Sequence, residues 1–206
     1  MAADAMELVC EKRIYQERSW VIDGGDRHFR HDSEVFRSLR KIAKRLEDLG
    51  GSYAIAGGMA LDAHGFRRLT VDIDILVTKE SLNLIHERLD GLDYLLTFEM
   101  SKNLRDTETG VRIKFLIAGE YPGDGRPKPV TFPNPSDVSV EIDGARYLTL
   151  SAILELKLAS GLTGGVARMK DFIDVVTLIQ NLNLLEGFLN NLFVTYARNI
   201  SNSGMA

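Results

Sequence analysis

The sequence predicts an α+β protein, with a mixed, largely antiparallel sheet, helices on one face and a helical C-terminal part. Short apolar runs bounded by glycine and polar turns recur at Tyr53–Ala56, Val71–Val77, Tyr94–Met100 and Val111–Ile117, the pattern of half-buried strands. A further pair, Val138–Ile142 and Ala145–Leu148, is joined by Asp143-Gly144, a dipeptide suited to a hairpin turn with positive φ at both central positions. Segments with helical periodicity lie between these runs and fill the last third of the chain.

Taken in order, residues 1–32 form a polar N-terminal arm in which Trp20, Val21 and Ile22 could pack on the body. His28 and His31 are spaced like helical metal ligands, but no carboxylate or cysteine cluster joins them, so they read as a solvated turn. Ser33 is placed to cap a helix to Leu49, with Val35, Leu39, Ile42, Ala43 and Leu46 on its apolar face and Arg37, Arg40, Lys41, Lys44 and Arg45 mostly opposite. That basic face reads as solvated in preference to a nucleic-acid surface. Thr78 caps a helix from Lys79 to about Leu89, with Leu82, Ile85 and Leu89 inward. The two strands that follow are joined by a polar turn, NLRDTETG. Residues 118–136 hold all five prolines and read as a rigid excursion at the end of the sheet, where a site belongs. Ser151 is the expected cap of a helix Ala152–Ala159, which SGLTGG breaks. Val166–Gln180 is a periodic helix with Met169, Phe172, Ile173, Val176 and Ile179 on its buried face, and a last helix is expected over 184–197. The organisation expected is thus an arm (1–32), a sheet domain (33–150), a helical part (151–200) and a disordered tail (201–206).

Composition narrows the class. A net charge of -4 argues against a protein that grips a long nucleic-acid duplex, because such grips need an excess of Lys and Arg. Cys10 stands alone, so no internal disulfide forms, and its position makes a catalytic role improbable. No window approaches the ~20 apolar residues of a membrane span, and no apolar leader follows a basic N-terminus. A soluble, cytoplasmic protein is expected.

The chain is organised around Ser52–Val77, SYAIAGGMALDAHGFRRLTVDIDILV. A strand runs into Gly57-Gly58, and Met59–His64 can form a short helix closed by Gly65. A glycine pair between strand and helix lets a ligand approach the backbone, and the helix start offers N–H groups to an anion. Asp72 and Asp74, two apart on a strand, share a face, while Val71, Ile73 and Ile75 take the other. Adjacent carboxylates repel unless a cation sits between them. Oxygen ligands of this kind suit Mg²⁺, which is usually held by one or two carboxylates plus substrate phosphates. An anion cradle beside a divalent-metal seat suits a nucleoside triphosphate.

The run Gly57-Gly58, Arg68, Thr70, Asp72, Asp74 resembles the signature of the nucleotidyltransferase superfamily. Within it, the run is most similar to the bacterial minimal nucleotidyltransferases and the AbiEii/AbiGii-like abortive-infection toxin group, in which R-x-T-x-D-I-D is typical. The resemblance covers roughly residues 34–180, although only the 26 residues quoted are specific. It implies Asp72 and Asp74 as catalytic and metal-binding residues, and Gly57, Gly58, Arg68, Thr70 and Lys157 as nucleotide-binding. It also implies a toxin of a two-component system. Relatives carry a third carboxylate on a neighbouring strand, completing a centre for two Mg²⁺ ions. The strand that should supply it reads Val111–Ile117, with Arg112 and Lys114 on one face, and Lys114 stands where Asp or Glu is expected. A lysine there repels the nucleophile-activating ion and could pair with Asp72 or Asp74. Magnesium-nucleotide binding is then expected to survive while transfer is slow or lost; Glu120 is a candidate substitute.

Other residues carry two readings each. Thr70 shares the face of the aspartates and supports them. Arg68 does the same, binds phosphate, or is surface charge. Lys157 matches a lysine in an L-K-L-A run of relatives and reaches the triphosphate or is solvated. Arg168, Lys170 and Asp171 resemble an R-x-K-D run but read better as a surface ion-pair set. Asp62 could hydrogen-bond near the cradle, and His64 reads as a helix C-terminal cation. The leading function is an Mg-dependent nucleotidyltransferase-like protein acting on a hydroxyl of RNA, protein or a small molecule. The alternative is an inactive binding module with a protein partner. A small-molecule transferase of the aminoglycoside type would need an acidic acceptor cleft, for which Glu120, Asp124, Glu141 and Asp143 are candidates.

Overall fold

The computed structural model describes residues 31–99, 101–122, 125–127, 130–163 and 165–181. Residues 1–30 of the expected arm (1–32), the helix over 184–197 and the tail at 201–206, with His28 and Asp124, lie outside the described residues.

Glu34–Leu49 (α1) follows Ser33 as N-cap and ends at Gly50, whose φ of 66° is the left-handed turn a glycine accepts without strain. Its expected apolar face is buried, together with Phe36 and Ser38. Three residues of the basic face pair with acids of the chain itself. Lys41 donates to the buried Asp106 (3.2 Å), Arg45 pairs with Asp93 (3.0 Å), and Arg37 pairs with Glu108. Tyr53–Ala56 (β1) leads directly into Gly57–Ala63 (α2), so the helix begins at the glycine pair, ahead of Met59. Asp72–Val77 (β2) precedes Lys79–Leu89 (α3), capped as expected by Thr78, whose hydroxyl accepts from the Ser81 amide at 3.1 Å.

The next region departs from expectation. Tyr94–Leu96 (β3) is shorter than the predicted strand, and the supposed turn NLRDTETG contains a strand of its own, Leu104–Asp106 (β4). Leu104 and Asp106 are fully buried, Asp106 by hydrogen bonds to Ser38 and Lys41. Its polar composition disguised a strand anchored by tertiary bonds. Arg112–Ile117 (β5), Pro135–Val138 (α4), Ser139–Ile142 (β6) and Ala145–Leu148 (β7) follow. The β6–β7 turn has positive φ at Asp143 (49°) and Gly144 (76°), as the dipeptide predicts.

The sheet order is β3-β4-β5-β2-β1-β7-β6. Pairings are antiparallel except β2 with β5 and β1 with β7, which are parallel and central. Leu150–Thr163 (α5) begins one residue before the expected cap Ser151, with Thr149 accepting from the Ala152 amide. It also runs through Ser160-Gly161-Leu162-Thr163, where a break was expected. Gly161 serves packing: a Cβ there would lie 2.9 Å from the Phe172 backbone nitrogen, so it marks where α6 crosses closely. The turn falls at Gly165 (φ 62°), followed by a 3₁₀ turn Val166–Arg168 and Met169–Asn181 (α6).

Helices cover both faces of the sheet, where one was expected. Ile55, Ile73, Ile75, Ile113 and Phe115 pack with α1 and α3. Ala54, Ala56, Leu76 and Leu148 pack with α5 and α6 on the other side. The buried face of α6 also differs: Asp174, Val175 and Leu178 point inward, while Met169, Phe172, Ile173 and Val176 are 38–57% exposed. The helix is rotated relative to its apolar stripe because Asp174 has a buried partner, described below.

Candidate functional site

Alternation along β2 fixes the site. With Ile73 and Ile75 committed to the α1 side, Asp72 and Asp74 must project towards α5 and α6. The parallel register sets Asp72 beside Arg112 and Asp74 beside Lys114 on β5. Arg112 clasps Asp72 with two donors, Nε to Oδ1 and Nη2 to Oδ2, each at 3.3 Å. The Lys114 ammonium reaches along the row to Asp72 Oδ2 at 2.5 Å. Desolvation would raise the Asp72 carboxyl, but these two cations outweigh it and hold it below the usual carboxylate range. Sequence reading placed Arg112 on this face but missed its grip on Asp72, which depends on the strand order.

Asp74 is the opposite case. Burial, with repulsion from Asp72, pushes its carboxyl above the usual range, although Lys114, Lys157 and Arg68 pull the other way. It lies against the start of α2: a Cβ on Gly57 (φ 59°) would meet Asp74 Oδ2 at 2.1 Å, and one on Gly58 would meet Thr70 Cβ and Oγ1 at 2.8 Å. The glycine pair therefore admits Asp74 and Thr70, two parts of the chain itself, to the backbone. Arg68 and Thr70 lie in the loop before β2, not on the strand; Thr70 Oγ1 donates to the Asp72 carbonyl at 3.3 Å.

Asp74 opens onto a cleft of about 470 Å³ between the sheet, the proline excursion and the two C-terminal helices. Its polar wall includes Lys114, Lys157, Arg168, Asp171 and Ser160, and its apolar floor Leu116, Phe132, Leu148, Ile153 and Leu156. The excursion is tied at its neck, Gly119 N–H donating to the Phe132 carbonyl and Phe132 N–H to the Glu120 carbonyl, both at 2.8 Å. Glu120 lines the cleft, but its carboxylate is held by Lys102 at 2.8 Å.

Lys157 is neither a solvated residue nor a free phosphate ligand. It is buried, with Nζ 2.7 Å from Asp174 Oδ2 and 3.0 Å from Asp171 Oδ1. Ser160 also donates to Asp171 (2.8 Å), and Arg68 Nη2 lies 3.8 Å from Asp174. Asp171 therefore belongs to a network at the base of the cleft and not to the surface set expected. Desolvation raises its carboxyl, but Lys157, Ser160 and Arg168 prevail and keep it low. The spacing of Asp171 and Asp174, three apart on one helix face, was the available signal for this pairing.

Asp62 and His64 are turned elsewhere. Asp62 pairs with His31 (3.0 Å), which stacks on Phe36, and lines a separate cavity beside α1. His64 bonds the Leu148 carbonyl at 2.7 Å and ties α2 to β7. Of the acids considered for an acceptor cleft, Asp143 lines that separate cavity, Glu141 is exposed on β6, and Glu120 alone is in the cleft.

Solved structures share this fold. ANT(2'')-Ia, in complex with adenylyl-2''-tobramycin, superposes with a TM-score of 0.54 over 81% of this chain and 97% of its own, at 16% identity. The chain has the nucleotidyltransferase fold. Similarity extends to a protein from Thermotoga maritima described as a putative nucleotidyltransferase (TM-score 0.46, 18% identity, 67% of this chain and 91% of that one). It extends also to an antigenic nucleotidyltransferase-like protein from Paracoccidioides brasiliensis (0.46, 16%, 82% and 91%). No protein-family model matches the chain, and no curated protein sequence matches it. In this nucleotidyltransferase fold, no three His, Cys, Asp or Glu side chains converge as a metal-binding group among the described residues. No described helix is long and apolar enough to cross a membrane.

Proposed function

We propose that the cleft binds a nucleoside triphosphate and that nucleotidyl transfer from it is slow or lost. The observation that carries this is the meeting of the cleft-facing Asp74 with the Lys114 ammonium and the half-exposed Arg168 above an apolar floor. The cations suit phosphates and the floor suits a nucleobase. Asp74 with the substrate's phosphates is a fitting donor set for a Mg²⁺ ion, which when bound would offset phosphate charge. Asp72 is a poor second ligand, because both of its oxygens are already taken by Arg112 and Lys114. Transfer would join an acceptor hydroxyl oxygen to the α-phosphorus, release pyrophosphate and pass the hydroxyl proton to a base. Lys114, standing at the place of a third carboxylate, favours neither the proton acceptor nor the activating ion.

Nucleotide binding is tested by calorimetric titration with Mg·ATP, and transfer by radiolabel incorporation in the native protein and in Lys114→Asp. Binding with little transfer, raised by the substitution, is expected; a fast native enzyme would refute the second half. The acceptor class is RNA, protein or a small molecule. Two of the cleft's acids, Glu120 and Asp171, are paired with lysines, which disfavours a polycationic amino-sugar. The toxin role rests on the R-x-T-x-D-I-D run alone. It predicts that expression slows host growth and that Asp72→Ala relieves the effect. An inactive module with a protein partner is the reading left if neither binding nor growth arrest occurs.

A further inference from the structure

Along the row from Asp72 to Lys114, two carboxylates are matched by two cations before any ligand arrives. Asp72 is the tighter half. Its side chain is 19% exposed, Arg112 occupies both oxygens, and the Lys114 ammonium is in direct contact with one of them. A divalent ion seated between Asp72 and Asp74 would have to displace the ammonium, leave it facing a like charge, and break the arginine clasp. The ammonium is anchored by strand register, since Lys114 lies on a central strand beside Asp74.

We propose that Lys114 is a built-in cation that closes the Asp72–Asp74 pair to free divalent ions and presents a fixed positive charge to a polyphosphate ligand. The ligand class rests on the nucleotide reading above; the closure of the pair does not. Two consequences follow. The protein without nucleotide takes up no ion at the pair, and only an ion carried by the phosphates can reach Asp74. Removing the lysine's charge lowers the barrier to an ion at the same two aspartates, leaving only the Arg112 clasp on Asp72 to be displaced.

The test uses the full chain and Mn²⁺ alone, followed through the free-ion electron paramagnetic resonance signal. The native protein and Lys114→Arg should leave the signal unchanged into the millimolar range. Lys114→Gln should bind about tenfold more tightly or better, with the gain abolished by adding Asp72→Asn. Native protein binding Mn²⁺ as tightly as Lys114→Gln, or a folded Lys114→Gln with no gain, overturns the proposal. A parallel titration with ATP in EDTA separates the two readings. Binding that survives chelation in the native protein but falls in Lys114→Gln supports the fixed-charge role; binding that vanishes on chelation overturns that role. Absence of ATP binding with and without Mg²⁺ defeats the nucleotide reading while the Mn²⁺ results still decide on the pair.

Discussion

The Asp74 carboxylate rests against the α-carbon of Gly57, so close that a methyl group there would lie 2.1 Å from Oδ2. Gly57 also has φ of 59°. Gly57→Ala should therefore cost about 1–2 kcal/mol for the left-handed backbone and about 1–3 kcal/mol more for the collision. Gly50→Ala, with similar φ and open space around it, should show the first cost alone. In an Asp74→Ala background the Gly57→Ala penalty should fall towards the backbone cost, with only the residue-74 Cβ, at 3.1 Å, still to be accommodated. A double-mutant cycle by urea denaturation with no coupling would show that the contact is not the constraint.

The Lys157–Asp174 pair is buried on both sides, so removing Asp174 leaves the buried ammonium with only the more exposed Asp171 as an acid partner. Asp174→Ala should destabilise by about 3–5 kcal/mol, and Asp171→Ala by less, since Asp171 is the more exposed partner. Thermal denaturation of the two variants checks the order. Equal losses would mean that the ammonium is shared evenly.

Asp106 gives a stability that depends on pH. Desolvation alone would raise its carboxyl, but the Glu108 amide, Ser38 and Lys41 outweigh it and set the folded value below the ordinary one. A depressed carboxyl contributes stability that is complete above its unfolded value, about 3.9, and is lost as pH falls through the folded value. Asp106→Asn should lower stability at neutral pH and flatten the decline below about pH 4. Urea midpoints measured from pH 7 downward test this; parallel curves for the two proteins would refute it.

Glu120 lines the cleft but is about half exposed and bound to Lys102. Glu120→Gln should therefore change Mg·ATP affinity by no more than about fivefold, the scale of a surface pair. A larger loss, measured by calorimetry, would instead make Glu120 a working ligand of the site.

The parts of the fold written in local sequence were legible. Apolar periodicity located α1, α3 and β2, Thr78 announced its helix, and Asp143-Gly144 announced its turn. What escaped depended on partners distant in the chain. β4 is polar because its side chains answer α1, and Gly161 resembled a helix breaker although it serves a helix crossing. α6 turns Asp174 inward to meet Lys157, 17 residues upstream, a pairing that an apolar stripe cannot report. The two aspartates of the site were visible from their spacing on one strand. Arg112 was not assigned to Asp72 because only the parallel adjacency of β2 and β5 brings them together.

The cleft is assembled from segments running from Ala56 to Asp171, with its floor closed by a parallel neighbour of β1 that arrives at Tyr147. During synthesis, then, most of the polypeptide must leave the ribosome before any binding-competent state exists. A nascent chain that ends short of Asp171 accordingly lacks part of the cleft wall, and no such early fragment presents the complete pocket to a ligand.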